Sequence, residues 1–285
     1  MEAKDKAFSH KKTLLVKGNL MDLSDPKVMG ILNTTPDSFY DGGKNLKLDH
    51  ALHTVEKMLD DGLDILDVGG YSTRPNAKDV AVDEEKQRVL PLIESVNKRF
   101  PDLVISIDTF RSDVAKEAIE SGASIINDVS GGNLDDQMFQ RVADLNVPYI
   151  LMHMRGTPAT MQKLNQYDHL IKDVTFELSQ KLNKLRKLAI NDVIIDPGFG
   201  FAKSREQNYE ILDNLTYFEV LDCPILVGVS RKSMIYKTLE TNAENALNGT
   251  TALNMVALMN GASILRVHDV KEAKETIKLY NQLKN

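Results

Sequence analysis

The stretch "VIIDPGFGFAKS", residues 193–204, contains the unit from which the fold is predicted. Val193, Ile194 and Ile195 are β-branched and predict a buried strand, which the Asp-Pro-Gly sequence after them ends. Ser204 is followed three positions later by Gln207, the pattern of a capping box, so a helix is predicted to begin there. A strand, a short loop and a helix thus follow one another within a few residues.

The same unit recurs along the chain. Short β-branched runs alternate with segments of helical spacing, of which the clearest is the apolar stripe from Leu170 to Leu188. The predicted strands are Val28–Asn33, Ile65–Gly70, Val104–Thr109, Ile125–Ser130, Tyr149–Met154, Val193–Gly198, Ile225–Ser230 and Ile264–Asp269. Strands that are apolar on both faces and separated by helices indicate a parallel sheet covered by helices. Eight such units favour a single (β/α)8 TIM barrel, with an open doubly wound sheet as the alternative.

Composition limits the class of protein. The 285 residues carry a formal net charge of −6, which disfavours nucleic acid as a partner. No apolar run approaches the length of about 20 residues that spans a bilayer, so we expect no membrane partner and a cytoplasmic location. Cys223 is the one cysteine and has no partner for an internal disulfide. We expect residues 1–12 to be a frayed lead-in and residues 13–285 to form one domain.

Two connections are longer than ordinary βα loops. They run from Thr34 to Lys47 and from Tyr71 to Asp83, after the first and second predicted strands. In a barrel, both lie on the face that carries the carboxyl ends of the strands. Extra length on that face predicts loops that cover a substrate.

Polar residues end the predicted strands, and a barrel brings these ends to one rim, where barrel enzymes build their sites. Asp108, Asn127 and Asp196 supply acceptors and one amide, which match the donor edge of a fused ring such as a pterin or guanine. Gly228 allows close approach of such a ring, and Phe201 is placed to stack on it. Taken alone, Asp108 also fits a helix cap, Asn127 fits a turn, and His153 fits a satisfied rim histidine.

A second group of residues favours an anion. Arg266 and His268 share one face of the last strand, and Arg231 and Lys232 lie at the start of the seventh helix, where barrels commonly bind phosphate. We expect Arg74, in the second long loop, to close over the same charge. The sequence has no cluster with zinc spacing, but an Mg²⁺ bound mainly by substrate phosphate would need only an oxygen such as that of Asn33.

These motifs, taken together, resemble the dihydropteroate synthase family. The resemblance extends from about Val28 to the C-terminus and is carried, in order, by "ILNTTPDSFYDGG", "DVGGYSTRP", "SIDT", "INDVSGG", "DPGFGF", "VGVSRKS" and "RVHDV". It implies a transferase of folate biosynthesis that joins 6-hydroxymethyl-7,8-dihydropterin diphosphate to p-aminobenzoate, giving 7,8-dihydropteroate and pyrophosphate. It also implies an Mg²⁺ cofactor, a homodimer and a target of sulfonamides.

The resemblance assigns roles to residues of this sequence. Catalytic roles fall to Lys232, Arg266, His268 and Asp108, with Arg266 and His268 on the diphosphate. Together with the residues selected above, this gives the expected substrate-binding set: Thr73, Arg74, Asp108, Asn127, Met152, Asp196, Phe201, Gly228, Lys232, Arg266, Val267 and His268. The implied p-aminobenzoate pocket consists of Phe39, Pro75 and Ser233. Asn33 is the implied metal ligand.

Three positions depart from the family pattern. Tyr71 stands where a glutamate is usual, and Asn76 and Ala202 stand where glycines are usual. The alternative functions are a pterin-dependent methyltransferase of a corrinoid system and a non-catalytic pterin-binding homologue. The methyltransferase needs neither a diphosphate site nor p-aminobenzoate loops, so "SRKS" together with "RVHD" disfavours it.

Overall fold

The computed structural model describes residues 11–34, 44–72 and 80–284, with only the backbone for 44–47, and confirms the barrel. Eight parallel strands form one sheet in the order β8-β7-β6-β5-β4-β3-β10-β9. Their bounds are β3 Lys27–Asn33, β4 Ile65–Gly69, β5 Val104–Asp108, β6 Ile125–Asp128, β7 Tyr149–Met152, β8 Val193–Asp196, β9 Leu226–Val227 and β10 Ile264–Val267. A parallel bridge between Ile195 and Ile225 joins the two ends of this order and closes the barrel.

Helices pack around the outside of the sheet. They are α1 Lys44–Asp60, α2 Val82–Arg99, α3 Ser112–Glu120, α4 Met138–Leu145, α5 Leu170–Lys187, α6 Arg205–Asp213, α7 Ser233–Thr238, α8 Leu247–Met259 and α9 Val270–Lys284. The predicted capping box is confirmed: Ser204 Oγ accepts from the Gln207 N–H at 3.2 Å, and Gln207 Oε1 accepts from the Ser204 N–H at 2.8 Å. Among the described helices, none combines the length and apolar character that a membrane crossing requires.

An antiparallel hairpin, absent from the sequence predictions, precedes the barrel. Its strands are β1 Thr13–Val16 and β2 Asn19–Asp22, joined by Lys17 and Gly18. Both turn residues have positive φ, 49° and 75°, as a two-residue hairpin turn requires. Lys11, within the predicted lead-in, donates through Nζ to Asp192 Oδ1 at 2.8 Å, so the described part of that segment contacts the barrel.

The hairpin covers one end of the barrel and gives it an apolar floor. Apolar side chains from the hairpin pack with the first inward-facing residues of the barrel strands; they are Leu14, Val16, Leu23, Met29, Ile65, Ile125, Ile150, Ile194, Leu226 and Ile264. Side chains alternate along a strand, so two positions further on the chain faces the interior again. Five of the eight strands have a polar residue there, namely Asp67, Ser106, Asn127, Asp196 and Arg266, and the other three have Ile31, Met152 and Gly228. The barrel is therefore apolar at the hairpin end and polar toward the carboxyl ends of its strands.

Candidate active site

The Arg266 guanidinium joins two carboxylates inside the barrel. Its Nε donates to Asp67 Oδ2 at 2.7 Å, and its Nη2 donates to Asp108 Oδ2 at 2.6 Å. The fully buried Asp67 carboxylate also accepts from Asn127 Nδ2, at 3.1 and 3.3 Å. Predicted site residues from β5, β6 and β10 are thus connected, and they are linked by Asp67 from β4, which is not among the predicted site residues.

Burial changes the proton affinity of these groups. It raises the pKa of Asp108 to about 7, an effect that Arg266 opposes and that the negative charge of Asp67 increases. Burial alone would lower the pKa of Arg266, but Asp67 and Asp108 raise it above its ordinary value. Near neutral pH, Asp108 is therefore able either to accept or to donate a hydrogen bond, while Arg266 stays charged.

Asp196 and Lys232 form the second part of the site. Asp196 is buried at the end of β8 and accepts from the Gly198 N–H at 2.7 Å. Lys232 Nζ donates to the Phe199 carbonyl and lies 5.0 Å from the centroid of the Phe201 ring. Burial lowers the pKa of Lys232 to about 8, and the charge of Asp196 opposes that change. A buried acidic group and a half-buried basic group therefore lie close enough for the charge of one to affect the pKa of the other.

His268 and two predicted ligands lie at the rim. Ser230 Oγ accepts from the His268 N–H at 3.2 Å and lies 3.0 Å from His268 Nδ1. A hydroxyl has one donor and two acceptor sites, so Ser230 is able to hold the His268 ring in place with either nitrogen protonated. Asn33 and Ser233 are exposed; Asn33 ends β3 beside Gly69, and Ser233 begins α7.

Met152 and Gly228 also face the interior. The Met152 side chain is buried in a cluster that Phe201 contacts. A Cβ at Gly228 would lie 3.8 Å from Arg266 Cβ and 4.0 Å from Lys232 Nζ, so glycine leaves space between the two cations.

Two predicted residues point away from this site. Arg231 has a φ of 55°, and its guanidinium binds both carboxylate oxygens of Asp269, at 2.9 and 2.6 Å. The positive φ turns Arg231 away from its neighbour Lys232, so its expected place in the anion group is wrong. The Val267 side chain is fully buried in the core between sheet and helices, because it alternates with the inward-facing Arg266 and His268. Only the backbone of Val267 is placed to meet a ligand.

The predicted roles of Phe39, Thr73, Arg74 and Pro75 lie outside the described residues, as does the departure at Asn76. The other two departures are described. The Tyr71 ring meets Phe110 edge-on at 5.0 Å, and the Arg111 guanidinium lies 5.3 Å from the Tyr71 ring centroid. Ala202 is buried with a φ of 50°, the left-handed conformation that glycine adopts at lower cost.

Comparison with known proteins identifies the family of this chain. Residues 29–268 match the family model described as pterin binding enzyme. Dihydropteroate synthase of Escherichia coli strain K12 is 41% identical over 268 residues, which cover 93% of this chain and 94% of that protein. The chain belongs to the dihydropteroate synthase family. Members of this family are transferase enzymes.

Solved structures of the family have the same fold. A Yersinia pestis dihydropteroate synthase in complex with a sulfonamide drug superposes with a TM-score of 0.89 at 39% identity, covering 95% of this chain and 99% of that one. A Xanthomonas albilineans dihydropteroate synthase with 4-aminobenzoic acid gives a TM-score of 0.88 at 36% identity, covering 97% and 99%. The match extends over nearly the whole of each chain.

Proposed function

We propose that this chain condenses 6-hydroxymethyl-7,8-dihydropterin diphosphate with p-aminobenzoate, forming 7,8-dihydropteroate and releasing pyrophosphate. The bond between the pterin methylene carbon and the diphosphate oxygen breaks, and that oxygen keeps the electron pair. A bond forms between the same carbon and the arylamine nitrogen, which loses one proton. The observation that carries the proposal is Arg266, a cation that connects the acidic residues of the barrel interior to its rim.

The acidic residues account for recognition of the pterin. Asp108, Asn127 and Asp196 come from three different strands and present acceptors, of which Asn127 and Asp196 are buried and Asp108 is half-buried. A pterin carries ring N–H and amino donors along one edge, and hydrogen bonds to these acceptors offset the cost of burying them. Lys232 adds a donor for ring acceptors. The covered apolar floor limits how deeply the ring enters.

The basic residues account for departure of the diphosphate. The described bonds of Arg266 use Nε and Nη2, and a guanidinium carries five N–H donors, so donors remain for an anion. His268 places its imidazole ring at the rim, beside Ser230. These fixed charges and dipoles stabilise negative charge as it develops on the leaving oxygen. The neutral arylamine is already nucleophilic, so the chain needs no strong base near the reacting carbon.

An Mg²⁺ ion is part of the proposal. Within the described ranges, no three His, Cys, Asp or Glu side chains are grouped to hold a metal. The donor set fits an ion bound mainly by the diphosphate, because Mg²⁺ commonly takes one or two protein ligands together with substrate phosphates. Asn33 supplies an exposed amide oxygen at the rim. When bound, the ion would neutralise charge on the leaving group.

The remaining parts of the proposal concern p-aminobenzoate and assembly. The proposed p-aminobenzoate pocket consists of Ser233, Phe39 and Pro75. Because sulfonamides are similar in shape to p-aminobenzoate, we propose that they bind in the same pocket. A homodimer is supported by exposed apolar side chains that line one surface cavity, namely Phe176, Tyr217 and Val220. We place the protein in the cytoplasm. The cationic rim disfavours the corrinoid methyltransferase, which handles no diphosphate.

Pyrophosphate release tests the proposed function. The purified chain is assayed with both substrates and Mg²⁺, and with either substrate omitted. We expect release only when both are present, and a large loss of turnover in Lys232→Ala and Arg266→Ala with the circular dichroism spectrum unchanged. Release that does not depend on p-aminobenzoate would contradict the assignment.

A further inference from the structure

Residues 197–203, between β8 and α6, form the wall of the site that positions Lys232 and Asp196. The Phe199 carbonyl accepts from Lys232 Nζ, and the Gly198 N–H donates to Asp196 Oδ1 at 2.7 Å. The Phe201 ring lies 5.0 Å from Lys232 Nζ. The conformation of this wall therefore determines where two of the proposed pterin-binding side chains stand.

A buried lysine holds this wall in place. Lys203 is 4% exposed, and its Nζ donates to the carbonyls of Gly198 at 3.1 Å and Phe201 at 3.0 Å. Its third contact, at 3.0 Å, is His153 Nδ1. An ammonium carries three hydrogens, so these three acceptors satisfy the protonated form. Burial lowers the pKa of Lys203 to about 7, and the charge of Asp196 opposes that change. The side chain crosses from the end of the wall to its beginning and to the end of β7.

His153 is held as an acceptor by a second set of contacts. Its Nε2 lies 3.0 Å from Glu177 Oε2, and Arg155 Nε donates to Glu177 Oε1 at 3.0 Å. Burial, and then the charge of Lys203, lowers the pKa of His153 to about 3, so the ring stays neutral near pH 7. With Nε2–H donating to Glu177, Nδ1 has a lone pair for Lys203. This confirms the interpretation of His153 as a histidine whose ring nitrogens are hydrogen-bonded within the protein, and it identifies Glu177 and Lys203 as the partners.

We propose that Lys203 is a positioning residue for pterin binding: anchored by His153, its ammonium fixes the Gly198 and Phe201 carbonyls, so that the wall holds Asp196 and Lys232 toward the pterin. Lys203 itself acts only through these groups. The inference rests on the proposed function for the identity of the ligand. It is tested by ligand binding, which does not require turnover.

The first test removes the ammonium. Lys203→Met is compared with Lys181→Met, which changes a half-buried lysine of α5 whose Nζ contacts the Ser130 carbonyl at 3.5 Å. The probe is 6-hydroxymethylpterin, titrated calorimetrically into each folded variant. We expect Lys203→Met to weaken binding tenfold or more, and Lys181→Met to change it less than twofold. In turnover, the KM for the pterin diphosphate rises in Lys203→Met while the KM for p-aminobenzoate changes little.

The second test keeps Lys203 and changes its anchor. His153→Asn retains an amide oxygen close to the Nδ1 position, whereas His153→Leu removes the acceptor. We expect the asparagine variant to bind 6-hydroxymethylpterin within threefold of the unmodified chain and the leucine variant to bind it at least tenfold more weakly. If Lys203→Met fails to fold, the comparison of these two His153 variants still tests the positioning role of Lys203.

The outcomes separate the two proposals. Unchanged pterin binding in folded Lys203→Met, or equal binding by the two His153 variants, overturns the positioning role. Failure of the unmodified chain to bind 6-hydroxymethylpterin overturns it as well. Pterin binding that depends on Lys203, in a chain without condensing activity, supports the positioning role and contradicts the proposed function.

Discussion

Replacing Asp67 by asparagine tests whether the carboxylate that the sequence analysis missed organises the site. Asp67 Oδ2 accepts from Arg266 Nε at 2.7 Å, and the carboxylate also accepts from Asn127. Asparagine keeps the shape and one acceptor oxygen but removes the charge. Arg266 remains paired with Asp108, so the variant is expected to fold.

The size of the effect follows from the hydrogen bonds that change. A hydrogen bond to a charged group contributes about 1.5–3 kcal/mol. If that energy holds Arg266 and Asn127 in position for the pterin diphosphate, its loss lowers kcat/KM roughly 10- to 150-fold, at about 1.4 kcal/mol for each factor of ten. Removing the negative charge of Asp67 also lowers the pKa of Asp108 from about 7, because that charge helps to raise it.

The assay measures dihydropteroate formation against pterin diphosphate concentration at saturating p-aminobenzoate, with urea unfolding in parallel. Asp64→Asn is the matched control, because Asp64 lies beside the opposite end of β4, where Oδ2 accepts from the Val28 N–H and Lys274 Nζ, both at 2.8 Å. We expect that variant to lose stability and keep its kcat/KM. Equal kcat/KM in folded Asp67→Asn and the unmodified chain would refute the reasoning, and so would equal losses in both variants.

Two further predictions concern residues outside the reacting centre. Arg231→Gln breaks the two bonds to Asp269, so we expect the free energy of unfolding to fall by about 1–3 kcal/mol with both KM values unchanged; a tenfold rise in the KM for pterin diphosphate would return Arg231 to the site. His153→Asn removes a group whose pKa is about 3 when folded and about 6.5 when unfolded. The unfolded chain binds more protons between these values, so stability falls as pH decreases through them, and the urea midpoint between pH 6.5 and 4.5 should fall less in the variant. An identical pH dependence of the urea midpoint in His153→Asn and in the unmodified chain would contradict this prediction.

The sequence was sufficient for the barrel because each strand carries its own signal. Runs such as Val193–Ile195 are apolar on both faces, and the segments between them have helical spacing, so local patterns and global fold agree. The hairpin was missed because its strands are short and precede the first strand-helix unit. The pattern that could have indicated the hairpin is a strand of alternately exposed and buried residues followed by the Lys17-Gly18 turn.

The site was predicted less completely, for two physical reasons. Selecting the last residue of each strand found Asp108 and Asp196 but passed over Asp67, which lies in mid-strand; counting two positions from the apolar Ile65 would have found it. The second reason is that the sequence does not show in which direction the backbone turns a side chain. Nothing in the triplet Arg231-Lys232-Ser233 reveals that Arg231 takes a positive φ and turns toward Asp269.

The apolar floor formed by the hairpin has a consequence for kinetics. Because the hairpin closes one end of the barrel, both reactants must enter and both products must leave at the other end, where the strands have their carboxyl ends. The reactant that binds nearer the apolar floor must enter before the reactant that binds nearer the rim. Once the second reactant is bound, it blocks release of the first. We therefore expect the two reactants to bind in a compulsory order.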